Sequence, residues 1–245
     1  MRVNRFFTKQ ALEPGSDIAL EAAISRHLGR VLRARVGDAV TLFNGDGHNY
    51  TASVTLSSKD AVTVHIQQRD PCHTESPIEV TLGLALSKGD RFDWAVQKAT
   101  ELGVSAIAPL YTERVDFQIP ENRVSRRTEH WQQIVISACE QSGRARIPDV
   151  LSPQTLESWC KQIGADEKYV LDLASDNQNP SSAPPSSIAL LVGPEGGLTS
   201  GEIGVAMQLG FRRLQLGPRV LRTETAPVVA LSVLGARWGD LGSPG

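Results

Sequence analysis

The residues able to do chemistry gather in two places. Arg222-Thr223-Glu224-Thr225 sets a cation, an acid and two hydroxyls shortly after a Gly-Pro turn at 217–218. Glu140-Gln141-x-x-Arg144 closes a long helical pattern. A carboxylate can take a proton, and an arginine beside it can hold negative charge that develops in a reaction. Each group also has a plainer reading. Glu140 and Arg144 are four apart and can pair on one helix face. Thr223 or Thr225 can cap a helix with Glu224 in its first turn. Nucleophilic and metal chemistry find less support. The three cysteines, Cys72, Cys139 and Cys160, are far apart, the five histidines are dispersed, and neither H-E-x-x-H nor G-x-S-x-G occurs. No metal is expected.

The elements that must position these groups end in two similar loops. An apolar run, Ile188 to Val192, stops at Gly193-Pro194-Glu195-Gly196-Gly197, and Thr199-Ser200 then open a helical segment. A second apolar run around Leu214 and Leu216 stops at Gly217-Pro218. A buried strand therefore ends twice in a Gly-Pro turn. Glycine lets a backbone approach a ligand, and proline fixes φ and removes a donor. Ordinary turns would use the same residues. Two such loops at neighbouring strand ends make a pocket lined by backbone, where ligands of open α/β sheets sit. The loops are neither a G-x-G-x-x-G fingerprint nor a P-loop.

The chain has 245 residues, 40% of them hydrophobic and 21% charged, with a net charge of −2, as in a globular protein of one or two domains. Residues 1–35 carry seven Lys/Arg against three acids. Arg2, Arg5, Arg30, Arg33 and Arg35 are a candidate phosphate footprint, or a solvated helix face. The cysteine spacing forms no disulfide framework, and no apolar run reaches about 18 residues, so a cytoplasmic protein without a membrane span is expected. Residues 1–72 read as a small β-rich module. It has a strand at Arg5-Phe6-Phe7, a helix over 17–35, and strands over 39–43, 50–56 and 61–67. Asp70 to Pro77 reads as a linker. From residue 73 onward strands and helices alternate. The strands cover 80–86, 105–111, 168–173 and 188–192, and the helices 90–102, 122–142, 153–163 and 226–238. That order predicts a mostly parallel sheet covered on both faces. Residues 176–187 are a low-complexity Pro/Ser loop.

Together, LLVGPEGG at 190–197, LGPRVLRTETA at 216–226, KATELGV at 98–104 and EQSGR at 140–144 resemble the RsmE family. Arg5-Phe6-Phe7, the His27 to Arg33 run and the Phe43 to Gly47 turn fit the same family, and one departure is Leu198, where an aromatic residue is common. The resemblance implies a SPOUT-type trefoil-knotted sheet behind an N-terminal PUA-like RNA-binding β-barrel, and a homodimer with active sites at the subunit interface. It implies S-adenosylmethionine as methyl donor and N3 of a uridine in 16S rRNA of the small ribosomal subunit, m3U1498, as acceptor. On the same resemblance Leu191, Val192, Gly193, Pro194, Glu195, Gly197, Leu216, Gly217, Leu221 and Thr225 would hold the cofactor. Arg222 would stabilise charge on the uracil carbonyls, and Glu224 would take the N3 proton or orient Arg222. Glu140 and Arg144 would position the base or the partner subunit. Another SPOUT enzyme, acting on a ribose 2′-OH or a guanine, and a non-catalytic RNA-binding factor are the rival readings.

Overall fold

A computed structural model describes residues 4–174 and 183–242. Arg2 and most of the Pro/Ser loop lie outside the described residues. The chain forms two compact units, Met1–Glu75 with Cys139–Ile147, and Ser76–Ala138 with Pro148–Gly245.

The first unit is a five-stranded sheet of β1 (Asn4–Phe7), β2 (Asp17–Ala19), β3 (Ala39–Phe43), β4 (His48–Ser57) and β5 (Val62–Pro71), in the order β1-β3-β4-β5-β2. Alternate residues of a strand face one side. Phe6, Val40, Leu42, Tyr50, Val54, Val64 and Ile66 accordingly share one core with Leu28. The sequence predicts a single helix over 17–35, and the structure differs. Asp17–Ala19 pairs antiparallel with β5, Ile18 opposite Val64. Only then does α1 (Ala22–Arg26) begin, continuing as a wider π-helical turn, His27–Leu32. Pairing satisfies the backbone of β5, an outcome that apolar spacing alone does not report. Val31, expected on the apolar face, is 66% exposed.

The stretch read as a linker does more than connect. Asp70 and Pro71 complete β5. Glu75 accepts hydrogen bonds from the backbone N–H groups of Ala145 and Arg146, each at 2.9 Å, and from the Arg144 guanidinium at 2.9 and 3.1 Å. The Thr74 hydroxyl donates to the Gly143 carbonyl at 2.9 Å. Residues 139–147 are thereby bound into the first unit.

The second unit is a seven-stranded sheet in which every pairing is parallel. Its strands are β6 (Glu79–Ala85), β7 (Ala106–Tyr111), β8 (Asp149–Val150), β9 (Gln154–Thr155), β10 (Glu167–Leu171), β11 (Ser187–Val192) and β12 (Arg212–Leu214). The order is β12-β10-β11-β6-β7-β8, with β9 also on β7. Between them run α2 (Arg91–Glu101), α3 (Glu121–Ser142), α4 (Leu156–Gln162), α5 (Ser200–Gln208) and α6 (Thr225–Trp238). The apolar runs of β6 and β11 are buried almost throughout, as strands covered on both faces require. Gly83 in β6 makes room for a helix: a Cβ there would lie 2.6 Å from the Trp159 ring of α4. β11 and β12, whose ends carry the two Gly-Pro loops, are not neighbours; β10 lies between them. No helix among the described residues is long and apolar enough to cross a membrane.

Candidate active site

The carboxyl ends of β10, β11 and β12 open into a cavity of ≈ 330 Å³. Its walls are the loop at 193–198, the loop at 216–221 and the end of β10, Leu171 to Leu173. That volume lies in the range of small-molecule pockets, about 300–1,000 Å³. Six leucines and two valines are among the lining residues, and Arg114, Asp172, Glu195, Arg219 and Thr223 bring polar atoms to it.

The first loop is closed on itself. The Gly197 N–H donates to the Pro194 carbonyl at 2.8 Å, and Arg114 donates to the Gly196 carbonyl. Glu195 pairs with Arg91 at 2.8 Å. Behind the loop, Thr199 caps α5 in a reciprocal capping box: its hydroxyl accepts from Glu202 N–H and its own N–H donates to the Glu202 carboxylate. A Cβ at Gly193 would sit 2.9 Å from Leu198 Cγ and 3.1 Å from Leu198 N, so this glycine serves the loop's own packing. The second loop is different. Among the described residues, no hydrogen bond engages the backbone of 216–221. Gly217 has φ +110°, and a Cβ there would meet nothing within 4 Å. The tie between the loops is Thr223, 6% exposed, whose hydroxyl donates to the Gly193 carbonyl at 2.8 Å.

Val192, Gly193, Pro194, Glu195, Gly197, Leu216, Gly217 and Leu221, which the resemblance offers as cofactor residues, line the cavity. Leu191 and Thr225 are not in the lining. The Leu191 side chain is buried in the core with Ala108 and Val170, on the other side of the strand from Val192. Thr225 is the first residue of α6. The lining that the sequence missed includes the end of β10, Arg114 after β7, and Thr223. The rule that ligands gather at the carboxyl ends of parallel strands, extended from the two glycine-rich strands to β7 and β10, finds the first two of these.

Arg222 is exposed and has no ion-pair partner among the described residues. Glu224 does not pair with it. One Glu224 carboxylate oxygen, Oε2, is buried without a hydrogen-bond partner at the start of α6. The other predicted acid–base pair lies in the first unit and does not pair with itself. Arg144 lies beyond the end of α3, is 4% exposed, and binds Glu75 at 2.9 Å. Glu140 accepts the Phe7 N–H at 3.0 Å; burial raises its pKa, opposed by that bond and by His27 and Arg5. Glu140 therefore holds residues 139–147 to β1, and Arg144 holds them to the segment that follows β5.

Of the predicted phosphate contacts, Arg5 donates to the Arg144 carbonyl at 3.0 Å with its guanidinium over the Phe43 ring, so it serves the same anchor. Arg30 pairs with Asp60 at 2.5 Å. Arg33 and Arg35 are exposed. The Cys139 and Cys160 thiols are pushed up by burial to about 12 and supply no thiolate near neutral pH.

Comparison with known proteins agrees with this architecture. The family model described as "RNA methyltransferase domain" matches residues 74–235, and that of the "RNA methyltransferase PUA domain" matches residues 20–67. The ribosomal RNA small subunit methyltransferase E of Buchnera aphidicola from Schizaphis graminum is 32% identical over 98% of each chain. The Neisseria gonorrhoeae ribosomal RNA small subunit methyltransferase E, solved bound to S-adenosyl methionine, is 38% identical over 98% of this chain and 99% of its own, with a TM-score of 0.89. A Legionella pneumophila protein solved with its bound cofactor SAM is 40% identical over 98% of this chain and 100% of its own, with a TM-score of 0.93. On the match over residues 74–235 and the likeness along nearly its whole length, the chain belongs to the ribosomal RNA small subunit methyltransferase E family.

Proposed function

We propose that this protein methylates N3 of a uridine in 16S ribosomal RNA, the m3U1498 modification, with S-adenosylmethionine as donor. The observation that carries the reading is the cavity at the ends of β10, β11 and β12, with the backbone of 216–221 left unpartnered on one wall. Backbone N–H and C=O groups demand partners when covered. A ligand with an apolar ring plane and several polar edges meets both the leucine-lined surface and this free backbone, so the residues present fit the cofactor. Val192, Gly193, Leu216, Gly217 and Leu221 would hold it, with Leu171 to Leu173 closing the third side. When bound, the cofactor supplies an electrophilic methyl group on its sulfonium.

The chain's own task is to make uracil N3 a nucleophile. The N3 proton must leave, and the negative charge then spreads onto the flanking carbonyl oxygens. Arg222, exposed and unpaired beyond the second loop, would meet those oxygens. Glu224, with one buried and unpartnered carboxylate oxygen, would accept the proton. Neither step needs a covalent enzyme intermediate. The target base must present its Watson–Crick edge, so it enters unpaired or flipped out. Arg33 and Arg35 would contact its RNA through phosphates. The knotted threading of the sheet, a cytoplasmic location and a homodimer belong to the same reading. Val220, an 80% exposed residue of the cavity lining, and Val233, 46% exposed on α6, suit a surface that a second copy covers.

The test is methyl transfer from labelled S-adenosylmethionine to small ribosomal subunits from a strain lacking the enzyme, with the product nucleoside identified by mass. N3-methyluridine is the expected product. A different methylated nucleoside, or no transfer despite tight cofactor binding, overturns the reading.

A further inference from the structure

The second unit carries a cationic face that is no part of the cavity described above. A separate hollow of ≈ 510 Å³ is lined by residues 117–120 and by Arg123, Arg126, Arg127 and His130 of α3. The spacing i, i+3, i+4, i+7 sets all four α3 side chains on one side of the helix. Glu121 and Glu129 of the same helix are not in the lining. Arg123 and Arg126 have no ion-pair partner among the described residues. The other two are held in place. The Arg127 guanidinium lies 5.4 Å above the Trp131 ring. Asp93 accepts the Trp131 indole N–H at 3.0 Å and lies 2.6 Å from His130 Nε2. Two fixed and two free basic side chains therefore face one hollow, and one carboxylate stands behind them.

The hollow also has a ring. Phe117 lines it half-buried and makes no aromatic contact among the described residues. Guanidinium forks match phosphate oxygens in pairs, and a free aromatic face accepts a stacked base. An acidic peptide would use the cations and leave the ring idle; single-stranded RNA uses both.

Resting on the reading of this chain as an enzyme of ribosomal RNA, we propose that Arg123, Arg126, Arg127 and Phe117 form an RNA-binding face. It grips the sugar-phosphate backbone and one base of the substrate strand. The cavity of the second unit then does not carry substrate affinity alone.

The experiment measures binding of a fluorescent single-stranded RNA containing the target uridine across a salt series, with cofactor binding by calorimetry alongside. For R123E/R126E, RNA binding at low salt falls by roughly tenfold or more, and the slope of log K against log salt falls by about 1.4, the share of two single-strand phosphates. Cofactor binding stays unchanged. R123K/R126K keeps the slope. F117A weakens binding several-fold with the slope unchanged, which separates stacking from charge. The neutral pair R123Q/R126Q must lower the slope as the reversal does. An unchanged slope in it overturns the proposal even where the reversal variant fails to fold. The two readings fail separately. Normal methyl transfer with an unchanged slope removes this face alone. No transfer by the wild-type enzyme, with salt-sensitive RNA binding lost in the variants, removes the proposed reaction and leaves the face.

Discussion

The two Gly-Pro loops of the second unit look alike in sequence and are built on opposite principles. The loop at 193–198 satisfies itself: a turn bond, an arginine on the Gly196 carbonyl, an ion pair on Glu195 and a capping box behind it. The loop at 216–221 has no backbone hydrogen bond among the described residues and reaches the first loop through Thr223. One wall of the cavity is finished before a ligand arrives, and the other is finished by the ligand. Local stability differs within one structure, and binding elements come from its low end. A rigid wall fixes where the ligand sits, and an unsatisfied wall supplies the groups that recognise it.

The largest effect expected from this contrast falls on turnover, just past the open loop. Arg222→Ala is expected to lower kcat on the order of 100-fold, the usual cost of removing one charge-stabilising donor. Cofactor affinity, measured by calorimetry, should hardly move, because Arg222 is not in the cavity lining. Lost affinity with normal turnover would make Arg222 a binding residue and erase the division of labour.

Gly193→Ala should damage the finished wall. The new Cβ would press on Leu198 Cγ and on the Leu198 backbone nitrogen, and the latter cannot swing aside. Overpacking of this kind costs about 1–3 kcal/mol. Both the thermal midpoint without ligand and the cofactor affinity should fall. Gly217→Ala tests the other wall. No atom opposes the Cβ, but φ +110° strains any residue with one, by about 1–3 kcal/mol. Because this loop is not tied down, it can relax when empty. The midpoint without ligand should stay near that of the wild type, and cofactor affinity should fall by roughly tenfold as binding restores the strain. Equal losses of midpoint in the two variants would show that the loops are alike after all.

The same contrast explains how far the residues alone could be read. Most elements of the second unit were legible because buried parallel strands are apolar runs, and because α2 and α3 carry their apolar residues at helical spacing; the two-residue strands β8 and β9 were too short to show a pattern, and β9 takes the start of the helix expected over 153–163. Glycine and proline at two strand ends made the pocket legible, and eight of the residues that the resemblance offered for the cofactor line it. Three further things were not legible. Period cannot say that Asp17–Ala19 would pair with β5 before the helix begins. Sequence distance hid Glu75, which takes Arg144 away from Glu140. Glycine content, finally, is blind to purpose: Gly193 is demanded by Leu198, and Gly217 by its own φ.

The smallest effect, and the sharpest test of the contrast, belongs to Thr223→Val. The substitution keeps shape and removes the hydroxyl that donates to the Gly193 carbonyl. A part-buried carbonyl left without its partner costs about 1 kcal/mol. In a linked pair of walls that loss should appear as a few-fold weaker cofactor binding. It should also quicken tryptic cleavage after Arg219, within 216–221, since no other hydrogen bond among the described residues joins that loop to its neighbour. The Gly197 amide, bonded within its own turn, should keep its rate of hydrogen exchange. Thr223→Ser restores the donor and should restore both readings. If valine leaves cleavage after Arg219 unchanged, the open loop is held by something other than Thr223, and a second copy of the chain lying against Val220 becomes the explanation to pursue.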